Sequence, residues 1–212
     1  LNKIQSIHQA TARLGRSKVR SLVYSCLLKS IFKINSPTLK KHMETLWQHS
    51  AYVAALSFVL GRETPGIDPE QALLAGLIHD IGSVAAIGGV NRYPVLAKRE
   101  EVLDYTIASS RIEMGVLTLK QWGLQDELQD VVNNAENWFR MGSAIPENPD
   151  VVILAQLHAL IGTREQARLP RVDTIPAFFK LANGELTPHQ SLSVLEEAEA
   201  DVREVRALIS AG

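Results

Sequence analysis

Three side chains in this 212-residue sequence are placed for shared chemistry: His49, and the adjacent pair His79-Asp80. His49 sits in Leu46-Trp47-Gln48-His49-Ser50, and the pair in Leu77-Ile78-His79-Asp80-Ile81-Gly82. Two imidazoles and a carboxylate form a three-ligand set for a divalent metal ion. The same groups could instead form a buried hydrogen-bonded cluster, because a buried carboxylate needs a partner and imidazole supplies one. Both readings stay open on the residues alone. The other histidines (His8, His42, His158 and His189) have no partner pattern. Cys26, the only cysteine, lies among Leu22, Val23 and Leu27, where it reads as a small core residue. It cannot form an internal disulfide.

The elements that must hold these groups read as helices. Ser36-Pro37, Asp68-Pro69, Asn148-Pro149 and Thr187-Pro188 each pair an N-cap side chain with a proline at the first helical position. Glycine stops are expected at Gly61, Gly88-Gly89, Gly123, Gly162 and Gly184. Between Ser36 and Leu60, Met43, Leu46, Trp47, Ala51, Ala54 and Phe58 recur at helical spacing. His49 continues an inward stripe through Val53, Leu56 and Leu60. The next helix, Asp68 to about Ala86, is apolar on nearly every face and should be central. His79 shares its face with Ala72, Ala75, Gly76, Gly82 and Ser83, all small enough to admit another backbone. Helices are also expected over Gly123–Arg140 and Asn148–Gly162. Residues 167–186 read as a loop, with room for a short helix, and 187–211 as a C-terminal amphipathic helix. Trp47, Trp122 and Trp138 read as packing residues, and Glu196-Glu197-Ala198-Glu199 as a solvated helix face. No run alternates with period two long enough to make a strand, so the expected fold is all-α, a single domain over 1–212.

Composition narrows the class. With 46% hydrophobic and 21% charged residues the chain is not disordered, and 22 basic against 23 acidic residues give a net charge of -1. That balance argues against a protein binding nucleic acid through a basic surface. Ala72 to Val90 reaches membrane-span length but holds Asp80, which at a bilayer centre would cost about 2.5–3.5 kcal/mol. A buried helix is the better reading, and the expected location is the cytoplasm. No signal peptide is visible, but the first residue is Leu1 and not Met, so upstream sequence is expected.

His…His-Asp on sequential helices, with Leu-Ala-Gly-Leu-Ile-His-Asp-Ile-Gly around the pair, resembles the HD superfamily of metal-dependent phosphohydrolases. More closely, the chain resembles the HDOD domain, the HD-related output domain of bacterial signalling proteins. The stretches that carry the resemblance are Ile4–Gly15, Leu46–Ser50, Leu74–Gly82, and Gly115 through Trp122-Gly123-Leu124. The family's helices that precede Ile4 are absent from this chain. The resemblance implies an HD-like helical bundle and, for His49, His79 and Asp80, a metal site.

Departures from the pattern bear on function. The Asp that completes a catalytic HD site on a later helix falls, by the Leu154-Ala155-Gln156-Leu157 pattern, at Gln156. Two-metal members place histidines where this chain has Arg111 and Ala135-Glu136, and a permanently charged Arg111 would repel a second cation. The cyclic-dinucleotide-cleaving branch carries a lysine where this chain has Ser83. The resemblance therefore implies a degenerate, non-catalytic signal-transduction module in a bacterial response-regulator setting. Its vestigial metal site would be empty, and no cofactor is expected. Partners would be other proteins or an adjacent signalling domain such as a receiver, not nucleic acid or a membrane. Asp80 would be held by His49, His79 or Arg111 in a structural polar cluster. The alternative is a phosphohydrolase or cyclic-nucleotide phosphodiesterase with one divalent ion on His49, His79 and Asp80.

Overall fold

A computed structural model describes residues 15, 28–124, 126–181 and 199–211. The helices described whole run in the order α1 (Pro37–Glu63), α2 (Pro69–Ile78), α3 (Ile81–Val90), α4 (Pro94–Ala97), α5 (Glu100–Gln121), α6 (Asp126–Asn134) and α7 (Asn148–Leu160). Two 3-10 turns (Arg164–Arg168 and Val172–Thr174), α8 (Pro176–Leu181) and α9 (Glu199–Ala211) follow. No strand occurs among the described residues, so the fold is all-α as expected. The readings at Cys26, His8, His189, Thr187-Pro188 and Gly184 lie outside the described residues, as does the Ile4–Leu14 stretch.

The 27-residue α1 is the axis of the bundle, packing on α2, α7 and α9. Its Val53, Leu56 and Leu60 are buried, as the inward stripe requires. Trp47 is buried too, edge-on to Phe32 with ring centroids 5.2 Å apart. Trp122, by contrast, is 42% exposed.

Several boundaries differ from the sequence reading. The expected helix from Asp68 to Ala86 is two helices, broken at His79-Asp80. Asp80 leaves helical geometry (φ -116°, ψ 28°) and starts α3 as its N-cap, a position aspartate favours. The break interrupts Pro69–Val90, the one described stretch apolar and long enough to cross a membrane by length and composition, and 72% of its most apolar 18-residue segment is buried inside the fold. Gly61 and Gly88-Gly89 do not stop their helices. A Cβ on Gly61 would lie 2.9 Å from the Ala72 Cβ, so this glycine lets α1 and α2 approach. Gly123 and Gly162 do act as stops, with φ of 66° and 80°.

The expected helix to Arg140 ends at Asn134, because Arg140 turns inward instead of continuing a helical face. Its guanidinium donates to Asp130 and Glu147, each at 2.8 Å, and to the fully buried Asp150 at 3.2 Å. Lys180 completes the shell of Asp150 at 3.0 Å. Asp150 Oδ2 also accepts the Glu147 N–H at 3.0 Å, so α7 is capped by Glu147 and not by Asn148. The stretch expected as a loop over 167–186 holds a 3-10 turn and α8 within its described part, where Ala177 and Phe178 are buried. Of the C-terminal amphipathic helix, α9 is the described part. It rests on α1 through buried Val202, with Arg206 stacked 5.4 Å over the Tyr52 ring.

Candidate functional site

Two close helix crossings build the site. At the first, Gly76 of α2 meets α1 so tightly that a Cβ there would lie 2.8 Å from the Ala54 Cα. At the second, a Cβ on Gly82 of α3 would lie 1.6 Å from the Arg111 carbonyl oxygen of α5, and Gly115 sits in the same crossing. The first crossing joins His49 to His79. The second lays Arg111, one turn before Gly115, over Asp80. The small face read around His79 in the sequence is the surface that admits these backbones.

The imidazoles of His49 and His79 meet edge to face, ring centroids 5.4 Å apart. His79 is 3% exposed, and its Nδ1–H donates to the Gly76 carbonyl at 2.7 Å. The proton is therefore on Nδ1, and Nε2 presents a lone pair that no described group satisfies. Burial, reinforced by the neighbouring His49, lowers the His79 pKa to about 3, so the ring is neutral near pH 7.

His49 Nε2 lies 2.8 Å from Gln156 Oε1, an amide carbonyl that can only accept, so the imidazole donates. Gln156 is buried. On the other side, the Ser83 hydroxyl donates to Asp80 Oδ1 at 2.5 Å. Arg111 Nη1 stands 3.8 Å from the same oxygen, while its Nη2 donates to Glu136. Burial pushes the Asp80 carboxyl above the usual range, and the Ser83 hydroxyl, Arg111 and His49 offset that only in part.

All four residues singled out from sequence, His49, His79, Asp80 and Arg111, thus come together. Ser83, read from the sequence as a small residue on the His79 face and as a replacement for a family lysine, and Gln156, read as a replacement for a family Asp, are both contact partners. The Asp80–Ser83 spacing of three was the readable signal for one. The Gln156 contact spans 107 residues and left no local signal.

As a donor set these groups fit a divalent cation poorly. His79 Nε2 is available, but His49 Nε2 carries its proton toward a neutral amide, and a permanent cation stands beside Asp80. Among the described residues, no group of three or more His, Cys, Asp or Glu side chains converges to hold a metal ion.

The fold recurs in solved structures. A provisionally named metal-dependent phosphohydrolase from Shewanella amazonensis SB2B superposes with a TM-score of 0.73 at 18% identity, over 99% of this chain and 74% of its own. An HDOD domain protein from Geobacter sulfurreducens superposes at 0.64 with 19% identity, over 98% of this chain and 75% of its own. A provisionally named signal transduction protein from Marinobacter aquaeolei VT8 gives 0.59 at 15% identity, over 99% of this chain and 49% of its own. In sequence, Ribonuclease Y of Pseudothermotoga lettingae is 24% identical over 148 residues, 70% of this chain but only 24% of that protein. Ribonuclease Y of Fervidobacterium nodosum is 26% identical over 125 residues, 59% of this chain and 20% of that protein. The chain thus spans about a quarter or less of the curated relatives it matches. The sequence model of the HDOD domain matches residues 1–138, well over half of the chain, and the chain belongs to the HDOD domain family.

Proposed function

We propose that this chain is a non-catalytic signal-transduction module of a bacterial cytoplasmic protein, in which the His-Asp site is a structural polar cluster and not a metal centre. The observation that carries the reading is the position of Arg111. Its guanidinium bridges Asp80 and Glu136, supplying beside the carboxylates the positive charge that a metal ion would otherwise bring. Gln156 on His49 supports it, because a neutral amide adds no charge to hold a cation. A module of this kind acts through packing on protein partners or an adjacent domain, such as a receiver, and needs no cofactor. Elemental analysis of protein purified without chelator tests the reading: less than a tenth of an equivalent of Mn, Fe or Zn is expected, and no hydrolysis of cyclic dinucleotides or simple phosphodiesters.

One observation favours a second reading. The buried His79 Nε2 lone pair has no described partner, as a ligand awaiting a metal would. On that reading His49, His79 and Asp80 hold one divalent ion for phosphodiester hydrolysis, the kind of reaction named for the ribonuclease relatives. About one bound metal per chain, with activity abolished by His79→Ala, would establish it in place of the first.

A further inference from the structure

Beside the cluster lies an open groove of about 830 Å³, in the size range of small-molecule sites. One wall is a polar stripe of α1, Thr38, Lys41, His42, Thr45 and His49, whose 12 residues span about 16 Å of helix. The opposing wall is apolar, from Ile87, Ala97 and Ile107, with Leu46 on the α1 side. Three exposed cations edge the opening: Lys41, Lys98 and Arg164. None of the three forms an ion pair with a described residue, and Glu100 is the only exposed carboxylate among the lining residues. The inner end is different in sign. There Asp80, with Glu136 behind Arg111, makes a poor neighbour for an anion, while Asp80 and His49 offer hydrogen-bonding atoms.

We infer that this groove binds a nucleoside phosphate without a metal ion, its phosphates at the Lys41–Lys98–Arg164 opening and its base and sugar toward Asp80. The apolar wall suits the flat face of a base, the cations suit a run of phosphates, and a carboxylate suits ribose hydroxyls or ring amines. This orientation keeps the phosphates away from the His-Asp pair, so the ligand would be sensed and not cleaved. The inference rests on the non-catalytic reading and would supply that module's input.

The test is calorimetric titration of the full chain in excess EDTA with each of the four common ribonucleoside triphosphates, adenosine and inorganic tripolyphosphate. At least one nucleotide is expected to bind, with adenosine and tripolyphosphate each at least about tenfold weaker. Lys41→Glu/Lys98→Glu should weaken the nucleotide at least about tenfold. Lys40→Glu, which changes a neighbouring lysine outside the groove, should leave affinity unchanged. All the substitutions are at exposed positions, and circular dichroism confirms that each variant folds. No nucleotide binding at millimolar concentration, tripolyphosphate binding as tightly as nucleotide, or indifference to the double substitution would overturn the inference. Cleavage of bound nucleotide, followed by chromatography, would instead overturn the non-catalytic reading and the orientation while leaving the groove as the site.

Discussion

His49 Nε2 and Gln156 Oε1 face each other at 2.8 Å, joining the middle of α1 to the middle of α7. By the resemblance to catalytic HD sites, a ligating carboxylate would be expected at the position this amide holds. Exchanging it should therefore restore affinity for metal. Gln156→Asp adds a negative charge against His49, and Arg111→His in the same chain removes the competing cation. The double variant is expected to bind about one equivalent of Mn or Zn, and the wild type less than a tenth of an equivalent, as read by elemental analysis after desalting. A double variant that remains metal-free would mean that the backbone, and not the two side chains, has lost the site.

Arg111 should matter more to folding than Asp80 does. Removing the Asp80 carboxylate leaves Arg111 still paired with Glu136, so Asp80→Ala is expected to cost about 1–3 kcal/mol. Removing the guanidinium leaves two acidic side chains without their shared cation, and Arg111→Ala should cost about 3 kcal/mol or more. Urea denaturation of both variants in excess chelator measures this order. If Asp80 serves only as a metal ligand, its substitution will leave the metal-free midpoint where it was.

Gly82 carries the crossing that brings Arg111 to Asp80. Its added Cβ would overlap the Arg111 carbonyl oxygen at 1.6 Å, and backbone cannot move aside as a flexible side chain can. Gly82→Ala is therefore expected to cost about 3 kcal/mol or more, beyond its helix-propensity gain of about 1 kcal/mol. Gly88→Ala is the control, since a Cβ there meets nothing within 4 Å. It should be neutral or stabilising in the same thermal melt.

The contrast between these glycines shows what the sequence could and could not reveal. Helical periodicity located α1, α2 and α7, and the small face around His79 announced that some backbone would press on it. Nothing local said which backbone, because Gly82 and Gly115 meet across 33 residues. Gly61 and Gly88-Gly89 read as stops for the same reason: a glycine used for packing looks, in one dimension, like a glycine used for a turn. The helix break at His79-Asp80 was hidden by an apolar run on both sides. The Arg140 cluster was missed entirely, since Asp130, Glu147, Asp150 and Lys180 converge only once α6, α7 and α8 are packed. The site's first residues were legible because they share a dipeptide and a helix stripe; their partners were tertiary.

Buried histidines should make this fold acid-sensitive well above the carboxylate range. His158 is 8% exposed, and burial lowers its pKa from 6.5 to about 4. In the unfolded chain the same imidazole titrates near 6.5, so between about pH 6.5 and 4 the unfolded state holds more protons. Stability contributed by the neutral ring is thus present above pH 6.5 and lost as pH falls toward 4, by up to roughly 3 kcal/mol. His79 acts in the same direction and further down, to about pH 3. Asp80, with its carboxyl raised by burial, opposes them from the carboxylate range upward, since its contribution fades as pH rises. His158→Gln removes one titration without touching the His-Asp cluster. Denaturation midpoints measured from pH 7.5 to 4.5 are therefore expected to fall less steeply in the variant than in the wild type. Parallel slopes in the two proteins would show that His158 reaches water freely enough to take up a proton in the folded state.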